Sequence, residues 1–178
     1  MPRIGYVLNL LKSDASALGI HGPVTYFKSL MTNPGLSAVF IYRIQSFLTD
    51  LKLIPLAKIA YRTNISKNGF DVAIGSKIGH SFRVSHPVGV VIGNKFKAGD
   101  NLTIMAQVVI GQKSFTSTEF GSENPEMGDN VKIGAGAIVL GGIVIGSNST
   151  IAAGTFLTED LLPNSFAFGN PVKIRIVD

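Results

Sequence analysis

A mainly β fold, a parallel β-helix of hexapeptide coils preceded by a small α-helical segment, is what this 178-residue sequence predicts. Three observations carry it. Aliphatic or small residues recur in sixes at Ile74, Ile92, Ala98, Ile104 and Ile110, with a companion column two places earlier at Val72, Ile78, Val84, Val90, Phe96, Leu102 and Val108. Such a beat is the signature of stacked strands in a solenoid. Glycine often follows the first column, at Gly75, Gly93, Gly99, Gly111, Gly128, Gly134 and Gly146, as tight corners require. Finally, 46% of the residues are apolar and only 15% charged, with 20 glycines, which suits an aliphatic interior with glycine corners.

The helical segment comes first, over residues 1–65. Leu36, Phe40, Ile44, Phe47 and Leu51 fall at steps of three and four, one apolar stripe of a helix. Asn33-Pro34-Gly35 is a turn that starts it. Further helices are expected near residues 4–12 and 23–31 and from about Pro55 to Arg62. This segment holds seven bases and two acids, so it carries the whole net charge of +5. Its bases are spaced singly, which reads as a solvated face, with proximity to an anionic membrane surface as the sharper alternative.

The β-helix occupies residues 66–178. The sixfold column resumes at Met127, Ile133, Val139, Ile145, Ile151 and Leu157. Three hexapeptides close one triangular coil, giving about five coils. Between Ile110 and Met127 the beat is lost, and residues 112–126 form a polar excursion loop of the kind that usually serves binding. The final stretch, LLPNSFAFGNPVKIRIVD, is expected to cap the far end or pair with a neighbouring chain.

Several function classes fall away. There is no cysteine, hence no thiol nucleophile, thiolate metal site or disulfide framework. Nothing pairs basic runs with aromatics or offers zinc spacing, so nucleic acid is not an expected partner. MPRIGYVLNLLKSD lacks a signal-peptide pattern, and no apolar run approaches the roughly 20 residues that span a bilayer. A cytoplasmic protein is expected.

The first column extends to positions 80 and 86, which are His80 and His86. His86 is the candidate general base, since an imidazole titrates near working pH; the bland reading is a core or interface histidine. Asp71, fifteen residues earlier, falls about one coil below it, near enough to orient the ring. His80 reads as structural, and His21, in a glycine-rich turn, as a surface residue.

The stretch IGHSFRVSHPVGVVIG, from Ile78 to Gly93, resembles the active-site coil of the serine O-acetyltransferase group of hexapeptide acyltransferases. VKIGAGAIVLGGIVIG, FAFGNPVKIRIV and NPGLSAVFIYRIQSFL resemble that group as well, so the likeness covers most of the chain. It implies a left-handed parallel β-helix, a homotrimer, and acetyl-CoA as co-substrate with no metal. It implies that His86 takes the proton of an acceptor hydroxyl and that Asp71 pairs with it. Gly111, Ala135 and Ala153 fall where the group lines the CoA arm, and Lys173 where a base meets CoA phosphate. Ser85 and Asn124 stand where the group carries an aspartate and a second histidine that grip serine. Those two neutral residues shift the expected acceptor toward a hydroxyl of a sugar or cell-surface glycan precursor, with serine O-acetylation as the alternative. A metal-dependent hydratase or a non-catalytic scaffold stands further off.

Overall fold

The computed structural model describes residues 4–113 and 123–177. Four helices come first: α1 (Ile4–Ala17), α2 (Pro23–Thr32), α3 (Pro34–Asp50) and α4 (Ile54–Asn68). Prolines open the first turns of α2, α3 and α4, where their missing N–H costs nothing. The Asn33 side chain accepts the Leu36 N–H at 3.0 Å and caps α3. Gly69, at φ 62°, ends α4 in a left-handed turn. That helix outruns the Arg62 end expected from sequence because the buried amides of Asn64 and Asn68 extend its packing against α3.

The chain then winds in three-strand coils. The first holds β1 (Phe70–Val72), β2 (Lys77–Ile78) and β3 (Arg83–Val84); the second β4 (Val90–Ile92), β5 (Lys97–Ala98) and β6 (Thr103–Ile104). The third holds β7 (Val109–Gly111), β8 (Glu126–Met127) and β9 (Lys132–Ile133); the fourth β10 (Ile138–Leu140), β11 (Val144–Ile145) and β12 (Thr150–Ile151). The last has β13 (Phe156–Leu157), a bridge at Leu161, and β14 (Ser165–Phe168). β15 (Lys173–Ile176) turns back antiparallel to β14. Sheet 1 runs β1-β4-β7-β10-β13, sheet 2 β2-β5-β8-β11, and sheet 3 β3-β6-β9-β12-β14-β15. All pairings within the coils are parallel, and the inward side chains form one continuous core from Phe70 to Ala167.

The register corrects the columns read from sequence. Phe70 pairs with Val90 and Arg83 with Thr103, twenty positions on, whereas Val91 pairs with Val109, eighteen on. The two extra residues lie in the corner between β3 and β4, and they shift the phase. In the first coil the inward positions are 70, 72, 76, 78, 82 and 84; afterwards they continue at 90, 92, 96 and 98. Ile74, His80 and His86 are therefore corner residues and not members of the hydrophobic column. The glycines also differ from expectation. Of the seven named, only Gly75 has positive φ. At Gly99, Gly128, Gly134 and Gly146 a Cβ would collide with the next coil. Positive φ is carried instead by Asn101, Asn130, Asn148 and Asn164, a residue type that tolerates it.

The helices close the open edge of the first coil. A strand edge presents unpaired carbonyls and amides that need partners. Arg43 donates to the carbonyls of Ile78 and Gly79, both at 2.6 Å, and to both carboxylate oxygens of Asp14 at 2.8 and 3.0 Å. Asp14 in turn accepts the Phe82 N–H at 2.8 Å. Gln45 donates to the Val72 carbonyl and Tyr42 to that of Ser76. The face of α3 turned to the coil is thus Val39, Tyr42, Arg43 and Gln45, all buried. The stripe expected from sequence, Leu36 excepted, is only half-buried or, at Leu51, 38% exposed. A purely apolar face would have left the coil's backbone groups unmet. Removing one partner of the Asp14–Arg43 pair would strand a buried charge, a loss of about 3–5 kcal/mol.

Candidate active site

The prism has three edges, and the sequence-selected residues divide among them. The edge between sheets 3 and 1 holds Ser85 and His86 in the first coil, Ala135 in the third and Ala153 in the fourth. Lys173, opposite Phe168 in the register, stands at its last coil. Strands stack about 4.8 Å apart, so Ala135 lies ~10 Å and Ala153 ~14 Å along the edge from His86. Around these alanines the chain is Gly134-Ala135-Gly136-Ala137 and Ala152-Ala153-Gly154, and a Cβ at Gly136 or Gly154 would enter open space. The result is a shelf of small residues on which an extended ligand can lie against backbone.

His86 is exposed at the base of that shelf, in the two-residue insertion. Its corner sits over the start of β1, because Gly89 N–H donates to the Gly69 carbonyl at 3.0 Å. Asp71 lies on β1, pointing outward from sheet 1 beside Val91 of β4. The two side chains form neither a hydrogen bond nor an ion pair in the single chain. Asp71 Oδ1 instead accepts a 2.9 Å hydrogen bond from the hydroxyl of Tyr61 on α4. Tyr61 was invisible to sequence reasoning: ten residues of chain and a helix end separate it from Asp71. Burial, then the bond to Asp71 and that residue's charge, push the Tyr61 phenol upward, so it remains a donor at neutral pH.

Gly111 and Asn124 lie on a different edge, between sheets 1 and 2. Asn124 closes over Gly93, where any Cβ would strike its Oδ1, and its Nδ2 reaches Asn94 at 3.4 Å. The Asn124 Oδ1 is buried without a hydrogen-bond partner. Gly111 accepts from the Gly141 N–H. His86 and Asn124 thus stand at opposite ends of β4, and one chain does not bring them together. Most of the excursion loop, residues 114–122, lies outside the described residues; residues 112, 113 and 123–126 form its base, with Glu123, Asn124 and Glu126 beside a groove containing Lys95 and Lys97.

The third edge, between sheets 2 and 3, carries His80. Its backbone N–H donates to Asp100, whose own N–H donates to Asp129, followed by Ser147. The imidazole is taken up by α1: Ser13 Oγ stands 3.4 Å from Nδ1 and the Tyr6 ring meets it edge-on at 5.7 Å. Beside this ladder Asn101, Asn130, Asn148 and Asn164 join side chain to side chain. His21 is exposed in the turn before α2. Among the described residues no group of three His, Cys, Asp or Glu side chains could hold a metal ion, and no helix is long and apolar enough to cross a membrane.

Known proteins share this architecture. The bacterial transferase hexapeptide family (six repeats) matches residues 124–159. A plasmid-borne serine acetyltransferase of Synechococcus elongatus is 36% identical over 168 residues, covering 90% of this chain and 53% of that protein. The serine acetyltransferase of Bacillus subtilis is 32% identical over 169 residues, covering 94% and 76%. The chain therefore spans about half the length of the first relative and three quarters of the second. Among solved structures, the soybean serine acetyltransferase apoenzyme superposes with a TM-score of 0.85 at 29% identity, over 96% of this chain and 69% of that one. The Neisseria gonorrhoeae serine acetyltransferase gives 0.84 at 29%, over 95% and 65%.

Proposed function

The chain belongs to the serine acetyltransferase family of hexapeptide-repeat acyltransferases, and from that premise we propose that it catalyses acetyl-CoA-dependent O-acetylation with His86 as general base. The observation that carries the reading is the edge between sheets 3 and 1: a lone exposed imidazole at one end, a shelf of small residues at its third and fourth coils, and a lysine at the other end. Ala135 and Ala153 would let the CoA arm approach backbone, and Lys173 would meet its phosphate charge. His86 accepts the proton of the acceptor hydroxyl as its oxygen bonds to the thioester carbonyl carbon. The C–S bond then breaks, and CoA leaves as its thiol with the proton returned. Asp71 would hold the other ring nitrogen and so fix the tautomer.

The site is read as one shared between chains of a homotrimer. Two features support this: His86 and the pair Gly111 and Asn124 lie on opposite edges of sheet 1, and the sheet between them is apolar outward. Val91, Val109, Ile138 and Phe156 line up in register there, and Val91, Ile138 and Phe156 are 40%, 36% and 39% exposed. A neighbour packed on that stripe would cover it and bring its own edge to His86.

For the acceptor, the names of the relatives support L-serine, and they lend nothing to the glycan or membrane partner expected from sequence. One local feature favours a second reading. Ser85 and Asn124, where relatives are expected to carry an acid and an imidazole, offer hydrogen bonds but no charge to the ammonium and carboxylate of serine. An uncharged hydroxyl compound fits such residues. CoA release, followed as free thiol with L-serine and with a panel of sugars, separates the two. Turnover with serine alone establishes the first reading and turnover with a sugar alone the second. Loss-free release by His86→Ala protein would sink the general-base reading.

A further inference from the structure

We infer that Tyr61 is a positioning residue for the transfer site: its phenol holds one oxygen of the Asp71 carboxylate and leaves the other for the His86 imidazole. This rests on the reading of His86 and Asp71 as a dyad. Asp71 points outward from the first strand of sheet 1, and its register neighbour above is Val91, an apolar residue. Its own sheet therefore supplies no donor. Below it no further coil exists; α4 packs there instead, along β1. From that helix the Tyr61 hydroxyl reaches Asp71 Oδ1 at 2.9 Å, the carboxylate's one hydrogen bond among the described residues. A free carboxylate at this place would rotate about two torsions, and each rotamer aims its oxygens differently. One hydrogen bond to a charged acceptor is strong enough to select a single rotamer.

The other charged groups nearby do not substitute for it. α4 also carries Lys58, Arg62 and Lys67; Arg62 and Lys67 line a separate groove with Ile59, Thr63 and Ser66. β4 offers only Val91 toward Asp71, and the corner before it offers only His86.

The test is Tyr61→Phe, assayed across pH with acetyl-CoA and whichever acceptor, L-serine or sugar, releases CoA with the parent protein. The expected result is a fall in kcat of about tenfold, little change in KM for acetyl-CoA, and an unchanged melting temperature. A Tyr61→Phe profile superimposable on the parent's overturns the inference, as does a loss of activity that merely follows a loss of folded protein. Asp71→Asn measured alongside keeps the two ideas apart. Full activity in Asp71→Asn removes the dyad, and this inference with it; impaired Asp71→Asn beside unaltered Tyr61→Phe removes the inference alone.

Discussion

The edge between sheets 3 and 1 and the edge between sheets 1 and 2 border the same apolar face and are built in opposite ways. The first has small residues at its third and fourth coils, with Met105 and Gln107 at the second, and takes two additional residues on a single corner, the one that exposes His86. The second is tight at Gly93 and Gly142 but runs 29 residues from Val109 to Ile138, where the preceding step takes eighteen. In a solenoid whose rungs repeat, side chains that do chemistry gather where the repeat length changes, because only there does the backbone leave the pattern that packing dictates. The third edge shows the contrast: its steps are closed by asparagine and aspartate ladders, and its histidine is absorbed by α1.

This contrast can be broken at each edge in turn. The largest effect belongs to the first. His86→Ala is expected to lower kcat by about 10²–10⁴, the usual range for a lost general base, with unchanged thermal melting, since the imidazole is exposed and makes no hydrogen bond among the described residues. A variant within a few-fold of the parent would mean that this edge does not hold the chemistry. At the second edge, Gly93→Ala places a methyl against Asn124 Oδ1 and displaces that side chain. The expectation is a rise of about tenfold in acceptor KM, the worth of one hydrogen bond, with KM for acetyl-CoA nearly constant; equal changes in both constants would assign Asn124 to the fold instead. The smallest effect is at the third edge. Asn130→Ala removes two hydrogen bonds of the ladder and a residue suited to φ 58°, a loss of about 2 kcal/mol in chemical denaturation, with turnover untouched. Reduced turnover there would show that the three edges are not independent.

Much of the fold was legible before any coordinates. The sixfold beat gives the solenoid and its number of coils, the apolar spacing after the Asn33-Pro34-Gly35 turn gives the long third helix, and the break after Ile110 gives the excursion. The phase was misread in the first coil because Val72, Ile78 and Val84 satisfy either column: a period of six repeats regardless of which of two inward positions a residue fills. Only the register of β1 on β4 distinguishes them. The stripe on α3 was misread for a related reason, since hydrophobicity marks what can be buried but not what an open strand edge requires.

By itself the sequence determined the parallel β-helix and its helical preface, because these rest on periodicity and local spacing that survive in one dimension. The tertiary structure alone decided that both histidines are corner residues, that Arg43 and Asp14 seal the first coil, that Asp71 is held by Tyr61, and that His86 and Asn124 face apart along sheet 1. Those are contacts between segments separated by tens of residues or by a change of element. No local pattern records them, because they follow from which side of a closed prism each corner occupies.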